Sequence, residues 1–409
     1  MKTYCNFLIA CFSVIATCAF AGSIDTLHGG DFNNAPTLAW KFKANGPFFG
    51  SPIIDGQTVY VAGLDSTLYA LDLITGKAKC RFTTHGPMRA TPCINGMELF
   101  LNGGDGNLYA LDKNSGKLLW KFTTGGERLY DPFDYYQSSP VFYNDVVYFG
   151  SGDSCVYAVK AATGKMVWRF ATKGVVHNTV TIGGNKLFVG SYDGNVYALN
   201  IQSGQLIWKF KTVGHNYFPK GELEFSPTIC NGLLFISGRD YNLYALDLEK
   251  GYCHWNRAFE RGWATRITAS LKNDSLIYVS TSDDYLIIAM RAYTGEIVWK
   301  TNVRNNIMSS CALTGGMGYL GTLLGKFYGF DLTTGAIKWT FATDGYNDNH
   351  LKYYKADDSF RDDIYSIILS NEALVVAQQN TGGINSTPAI ANDLMVVSST
   401  DGTIYCVKK

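Results

Sequence analysis

The residues best placed to do chemistry in this chain fall in one recurring column. Superposing eight repeated segments on Pro52, Pro92, Pro140, Val180, Pro227, Ala269, Cys311 and Pro388 exposes it. The position three residues earlier then holds Phe49, Arg89, Gln137, His177, Glu224, Arg266, Met308 and Asn385. A position that serves architecture alone keeps one residue type, whereas this one varies among cations, an acid, amides and an imidazole. Arg89, Gln137, His177, Glu224, Arg266 and Asn385 therefore form the candidate binding set, suited to an anionic small molecule or a partner's carboxylate. The same residue types would equally line a water-filled channel with internal salt bridges. The position just before the superposed residue is uniform instead: Ser51, Thr91, Ser139, Thr179, Ser226, Thr268, Ser310 and Thr387. A repeated hydroxyl reads as a part of the fold.

No catalytic residue and no metal ligand is assigned from spacing. Asp357-Asp358 and Asp362-Asp363 offer carboxylates without the spacing of a calcium-binding loop. Beyond the first 21 residues the cysteines are Cys80, Cys93, Cys155, Cys230, Cys253, Cys311 and Cys406, an odd number at irregular spacing. No Cys-x-x-Cys occurs among them, so no redox dithiol, zinc site or haem attachment is signalled. They read as small buried hydrophobes.

The elements that must position the column come from a repeat of about forty residues. Its signature is Leu-Tyr-Ala-Leu-Asp, two residues, Thr/Ser-Gly, three residues, Trp-Lys-Phe, as in Leu108 to Phe122. The anchor position is occupied by Trp40, Cys80, Trp120, Trp168, Trp208, Trp255, Trp299 and Trp339, which accounts for seven of the chain's eight tryptophans. Each unit reads as four short strands separated by Asn-Gly, Asp-Gly and Ser-Gly hairpin turns. Four antiparallel strands repeated side by side give an all-β fold, a β-propeller whose blades stack in a ring. The last unit stops before its outer strand, and Leu38-Ala39-Trp40-Lys41-Phe42 is an orphan strand of that missing kind. Pairing the two predicts eight blades over residues 38–409, closed by the N-terminal strand. Asp65, Asp105, Asp153, Asp193, Asp240, Asp283 and Asp401 recur in the turn between the second and third strands, as turn structure rather than a ligand box.

Three insertions interrupt the repeat, at about 126–136, 215–223 and 344–383. All fall between an outer strand and the next inner strand, so they emerge on one face, together with the start of each inner strand. The column is therefore expected to ring a channel mouth on that face. The longest insert is rich in Tyr346, Tyr353, Tyr354 and acidic residues, and Ile364–Gln379 is expected to form a helix over the channel.

Residues 1–21 combine Lys2, an apolar run and an Ala19-Phe20-Ala21 end, the parts of a secretory signal cleaved after Ala21, followed by an N-terminal segment over 22–37. Lipid attachment at Cys18 is disfavoured by the bulky Thr17 before it. The remaining chain carries 34 bases and 34 acids, so it has no field to attract nucleic acid or an anionic membrane. No later stretch is long enough for a membrane span. The expectation is a periplasmic or secreted protein whose partner is an envelope or extracellular protein, or a small anionic ligand.

The motif Ala/Gly-x-Asp-x-x-Thr-Gly-x-x-x-Trp resembles the tryptophan-docking repeat of the PQQ-like (pyrroloquinoline-quinone enzyme-like) β-propeller family, over nearly all of residues 38–409. That family holds quinoprotein alcohol dehydrogenases and the assembly factor BamB. The resemblance implies two functions: a non-catalytic binding or scaffolding module with no cofactor, or a dehydrogenase using PQQ with calcium. The dehydrogenases commonly carry an adjacent Cys-Cys pair beside the quinone, which this sequence lacks.

Overall fold

The computed structural model describes residues 29–271 and 275–409. The leader, its cleavage point and Cys18 lie outside the described residues. Among those described, the chain forms eight four-stranded antiparallel sheets in sequence order around an axis. A representative blade comprises Cys93–Asn95, Glu98–Asn102, Asn107–Asp112 and Leu118–Thr123, from the inner strand to the outer. The two middle strands are almost wholly buried, and the outer strand alternates exposed and half-buried residues, because only its inward face meets a neighbouring blade. The eighth blade joins the two ends of the chain. Strand Thr37–Lys43 pairs antiparallel with Thr403–Lys408, with Phe42 opposite Ile404 and Lys41 opposite Tyr405. Closure removes the unpaired edges that an open array would present.

Each anchor tryptophan ties its blade to the next. The indole N–H of Trp40 donates to the Leu73 carbonyl at 2.8 Å, that of Trp120 to Ala161 at 2.7 Å and that of Trp299 to Leu332 at 3.0 Å. The ring lies flat on the glycine of the next blade's last turn. At Gly76, with φ of +68°, an added β-carbon would fall 2.6 Å from the Trp40 ring, so both the turn and the docking demand glycine there. Cys80 holds the anchor position of the first blade, and a small void beside it opens between Leu99, Leu111 and Gly116.

The seventh blade meets a different problem. Its anchor Trp339 faces the eighth blade, which has no turn before its outer strand because the chain ends and restarts there. The N-terminal segment supplies the dock. Phe32 is fully buried, its carbonyl accepts the Trp339 indole N–H at 2.6 Å, and its own N–H donates to the Tyr319 hydroxyl at 2.8 Å. Asp31 then accepts from the Gly316 N–H and the Thr314 hydroxyl. The described part of segment 22–37 is thus built into the ring, ahead of the expected boundary at residue 38.

The recurring aspartates are structural. Asp105 accepts from its own turn at Asn107 N–H (3.2 Å), from the Tyr109 hydroxyl (2.6 Å) and from His85 N–H (3.1 Å) in the loop entering its blade. Asp193 repeats the pattern with Asn195, Tyr197 and Lys173. One carboxylate locks a hairpin to a strand and to the preceding loop. The long insert holds three helices instead of the single one expected: α1 (Asp344–Tyr353), α2 (Ile364–Ile367) and α3 (Asn371–Asn380). The expected helix breaks at residues 368–370 because Ser370 caps a new one, its hydroxyl accepting from Ala373 N–H at 3.2 Å.

Replacing Phe32 by alanine removes the fully buried ring on which the Trp339 anchor docks. The expected loss is about 3–5 kcal/mol of stability, read by urea unfolding; a change below about 1 kcal/mol would show that the segment is not part of the ring.

Candidate ligand site

The axis is closed at one end. Inner strands run from the insert-bearing face to the opposite face, so residues before each strand lie nearest the inserts. There the insert at 126–136 sends Tyr136 across the axis from the third blade. Its one hydroxyl proton is shared between the carbonyls of Met308 (2.7 Å) and Asn385 (3.1 Å), at the start of the seventh and eighth blades. Phe49, Tyr135, Phe225, Met308 and Leu323 pack around it in one buried apolar cluster. The column of variable residues does encircle the axis, but it lies within and beneath this plug rather than at an open mouth on the insert face.

Beneath their insert, two members of the column are consumed by ion pairs. His177 is fully enclosed, with Nδ1 2.7 Å from Asp134 and Nε2 2.6 Å from Glu127. Burial by itself would push its pKa down, yet hydrogen bonds to both carboxylates outweigh burial and hold it at about 10. The imidazolium is a rivet between the ring and the insert. Glu224 pairs with Arg239 at 2.9 Å, and Arg239 also binds Asp131 of the same insert. Burial raises the Glu224 carboxyl to about 7 against the lowering effect of Arg239. The Arg239 guanidinium is boxed by the rings of Tyr192, Phe218 and Trp263, and Phe218 belongs to the insert at 215–223. One buried cation thereby fastens both short inserts.

The others face the channel or its wall. Gln137 accepts from the Arg89 backbone N–H at 3.0 Å, while its own amide nitrogen, both side-chain amide atoms of Asn385 and the Nε of Arg89 are buried without a protein partner. Burial pulls the Arg89 guanidinium below its usual range, only partly offset by Asp134 and Glu127. Arg266 stacks 4.1 Å above the Tyr136 ring and donates weakly to the Met308 carbonyl at 3.4 Å. Arg89 and Arg266 line a cavity of about 230 Å³ that extends along the inner strands beyond Tyr136. Among the described residues no carboxylate lines it.

The uniform hydroxyls form a belt around this cavity. Ser51 N–H donates to the Thr91 hydroxyl (3.0 Å), Thr91 to Ser139 (3.0 Å), Ser139 to Thr179 (3.1 Å) and Thr179 to Ser226 (2.9 Å); Thr387 closes onto Ser51 (2.9 Å). Ser51, Thr91, Ser139, Thr179 and Ser226 each accept from the preceding blade through the oxygen, and each hydroxyl retains a proton it can donate. The belt lapses at Thr268, where the inner strand lengthens to Ala264–Ala269 and the hydroxyl turns to the Cys311 carbonyl.

Sequence reasoning missed Glu127, Asp131, Asp134, Tyr136 and Arg239. Arg239 had a signal, since it stands before the turn aspartate where other blades carry Leu64, Gly104 and Gly152. In the long insert two tyrosines turn inward, Tyr354 buried and Tyr346 stacked on His350 while bonding Asp358, whereas Tyr365 faces solvent. Asp358, Asp362 and Asp363 each pair with their own cation, and no set of three or more His, Cys, Asp or Glu converges on a metal position among the described residues. No helix among them is long and apolar enough to cross a membrane.

A family model described as outer membrane protein assembly factor BamB matches residues 32–160, 152–262 and 239–352. Solved structures of the same shape include BamB from Moraxella catarrhalis, with 14% identity, a TM-score of 0.64 and coverage of 92% of this chain and 98% of that one. A europium-containing methanol dehydrogenase matches with 15% identity and a TM-score of 0.68, over 91% of this chain and 93% of its own. The quinohemoprotein alcohol dehydrogenase from Comamonas testosteroni matches with 12% identity and a TM-score of 0.69, over 94% and 78% respectively. At such identities these likenesses speak for the fold alone. No curated protein sequence matches.

The His177 rivet fixes a sign for pH dependence. Its folded pKa of about 10 lies above the unfolded value near 6.5, so its contribution is complete below about pH 6.5 and lost as pH rises toward 10. Glu224, also raised, shifts stability in the same direction between about pH 4.5 and 7. The melting temperature should fall from pH 7 to pH 10. His177→Gln should melt lower at pH 7 and show a flatter profile above it; an unchanged slope would remove the rivet.

Proposed function

This chain belongs to the family of the outer membrane protein assembly factor BamB, within the PQQ-like β-propellers, and on that premise we propose that it is a non-catalytic binding module of the cell envelope. It holds an anionic group in its axial cavity and offers its insert-bearing face to a protein partner. The observation that carries this reading is the cavity wall: two arginines, a belt of hydroxyls and, among the described residues, no carboxylate. Such a wall attracts and orients an anion. It lacks the means to transform one. Among the described residues Cys311 and Tyr136 are the only acidic side chains on the wall, and burial pushes both up to about 12. No group there is poised as a general base or nucleophile near neutrality.

The alternative, a quinone-dependent dehydrogenase, asks for a calcium site and a catalytic carboxylate on this wall. Glu127 and Asp134 are paired to His177, and Glu224 is paired to Arg239 through one oxygen; none of the three lines the cavity. The residues present do not fit that cofactor pair, which supports the binding reading. The envelope location is supported by the apolar leader and the family's description. A partner surface is supported by Tyr217, Tyr365 and Leu369, which stand at least 79% exposed on the inserts.

Two measurements test the proposal. Incubating the purified protein with PQQ and calcium should give neither stoichiometric cofactor absorbance nor dye reduction with alcohols; turnover would replace the binding reading with the dehydrogenase. Arg89→Met should leave thermal stability unchanged or raised, because it removes a half-buried charge whose Nε has no partner. A drop of more than about 2 kcal/mol would make Arg89 a structural residue instead.

A further inference from the structure

We infer that the axial cavity is a blind well for an amphiphilic monocarboxylate, entered from the face opposite the inserts, with the acid group at the floor and an apolar stem toward the opening. The inference rests on the reading of this cavity as an anion site and adds its direction and its second half.

The direction follows from topology. Every inner strand starts at the insert face and ends in a hairpin on the other, so the order of lining residues along a strand is also their depth. At the insert end lie Arg89 and Arg266, under the Tyr136 plug whose hydroxyl is spent on two carbonyls across the axis. At the hairpin end lie Ile182, Ile229, Leu271 and Leu313. Leu271 is 38% exposed and Ile229 half-buried, so solvent reaches the wall there. The well is closed where it is cationic and open where it is apolar.

The chemistry changes along that depth. At the floor, Arg89 presents a buried Nε with no partner, and Arg266 sits over an aromatic ring with no carboxylate paired to it. Both are donors only, so the group they lack is an acceptor, best supplied by an anion. The hydroxyl belt comes next, its oxygens already engaged by backbone N–H groups and its protons still there to donate. A carboxylate between the arginines and the belt would satisfy both sets. Above the belt the described wall is mostly apolar, its Thr181 and Thr228 hydroxyls already donating to the Pro227 and Ile267 carbonyls, and burying a stem there gains free energy in proportion to its length. The cavity of about 230 Å³ exceeds the roughly 150 Å³ that accommodates benzene in an engineered core, which leaves room for a medium-length alkyl chain. A small inorganic anion would leave the aliphatic half empty, and a polycarboxylate would press charge against it.

Isothermal titration with straight-chain carboxylates from acetate to dodecanoate, at fixed ionic strength and below micelle formation, tests this. Affinity should rise about fourfold per methylene over the first additions and level off once the chain emerges. Octanol should bind at least tenfold more weakly than octanoate. Arg89→Met should weaken octanoate at least tenfold. Ile229→Asp at the opening should do the same while leaving acetate unaffected, and Leu369→Asp on the insert face should change neither. Equal affinity for acetate and octanoate would overturn the amphiphile and keep the anion site; binding of no carboxylate of any length would overturn both. Octanoate binding sensitive to Leu369→Asp and not to Ile229→Asp would place the entrance on the wrong face.

Discussion

Eight blades around one axis leave a hole, and most of what is distinctive in this chain answers that constraint. Four-stranded blades bury their faces against one another, but the inner strands cannot meet at the centre of so large a ring. Their first turns would expose backbone to an open channel. The chain responds differently at the two ends. At one end a loop carrying Tyr135 and Tyr136 plugs the axis with aromatic area and shares one hydroxyl proton between two carbonyls on the far side. Along the rest, a belt of serine and threonine hydroxyls satisfies the strand-start amides of one blade after another. Plug and belt together turn a through-hole into a well.

A plug built from a loop must be held against solvent, and this one is held by buried charge. Arg239 and His177 lie in the ring; Asp131, Asp134 and Glu127 come from the insert. Taking such ions out of water costs several kcal/mol each, recovered only when geometry is good and remaining donors and acceptors are met. Here they largely are: Arg239 has two carboxylates and three rings around it, and Asp134 also accepts from the Tyr192 hydroxyl at 2.9 Å. An apolar latch could hold as tightly, yet it would not fix the loop's register so sharply. The ionic one admits a single arrangement, which is what placing Tyr136 across the axis requires.

Architecture was legible in the sequence wherever it repeats. Trp120 and Asp105 each recur, and recurrence separates a structural role from a functional one before any coordinates are known. The column at Arg89 and Arg266 was also legible, as the place where the repeat loosens. What could not be read was depth. Whether His177 faces a channel or a buried acid depends on where the insert at 126–136 folds, and nothing in a loop's local pattern encodes that path. The docking of Trp339 was hidden for a related reason: its partner, Phe32, lies 307 residues away and outside any repeat. The break before α3 is the reverse case, a local capping serine overlooked within an apolar stretch.

A propeller of this shape is compatible with alcohol oxidation and with membrane-protein assembly alike, so shape cannot choose between them. The choice lies in how the charges at the axis are spent. An enzyme at this position needs carboxylates that are free to titrate or to bind a metal. Among the described residues, Asp131, Asp134 and Glu127 hold the plug and Glu224 pairs with Arg239 through one oxygen, while Arg89 and Arg266 are the cations on the cavity side. Raising His177 to about 10 keeps that division in force across the physiological range, since the insert's acids cannot be released toward the well while the imidazolium holds them. The same ion pairs that close one end of the axis therefore shape the other, leaving a donor-rich floor with Arg89 and Arg266 and, among the described residues, no lining carboxylate, which is the ground of the anion-binding proposal.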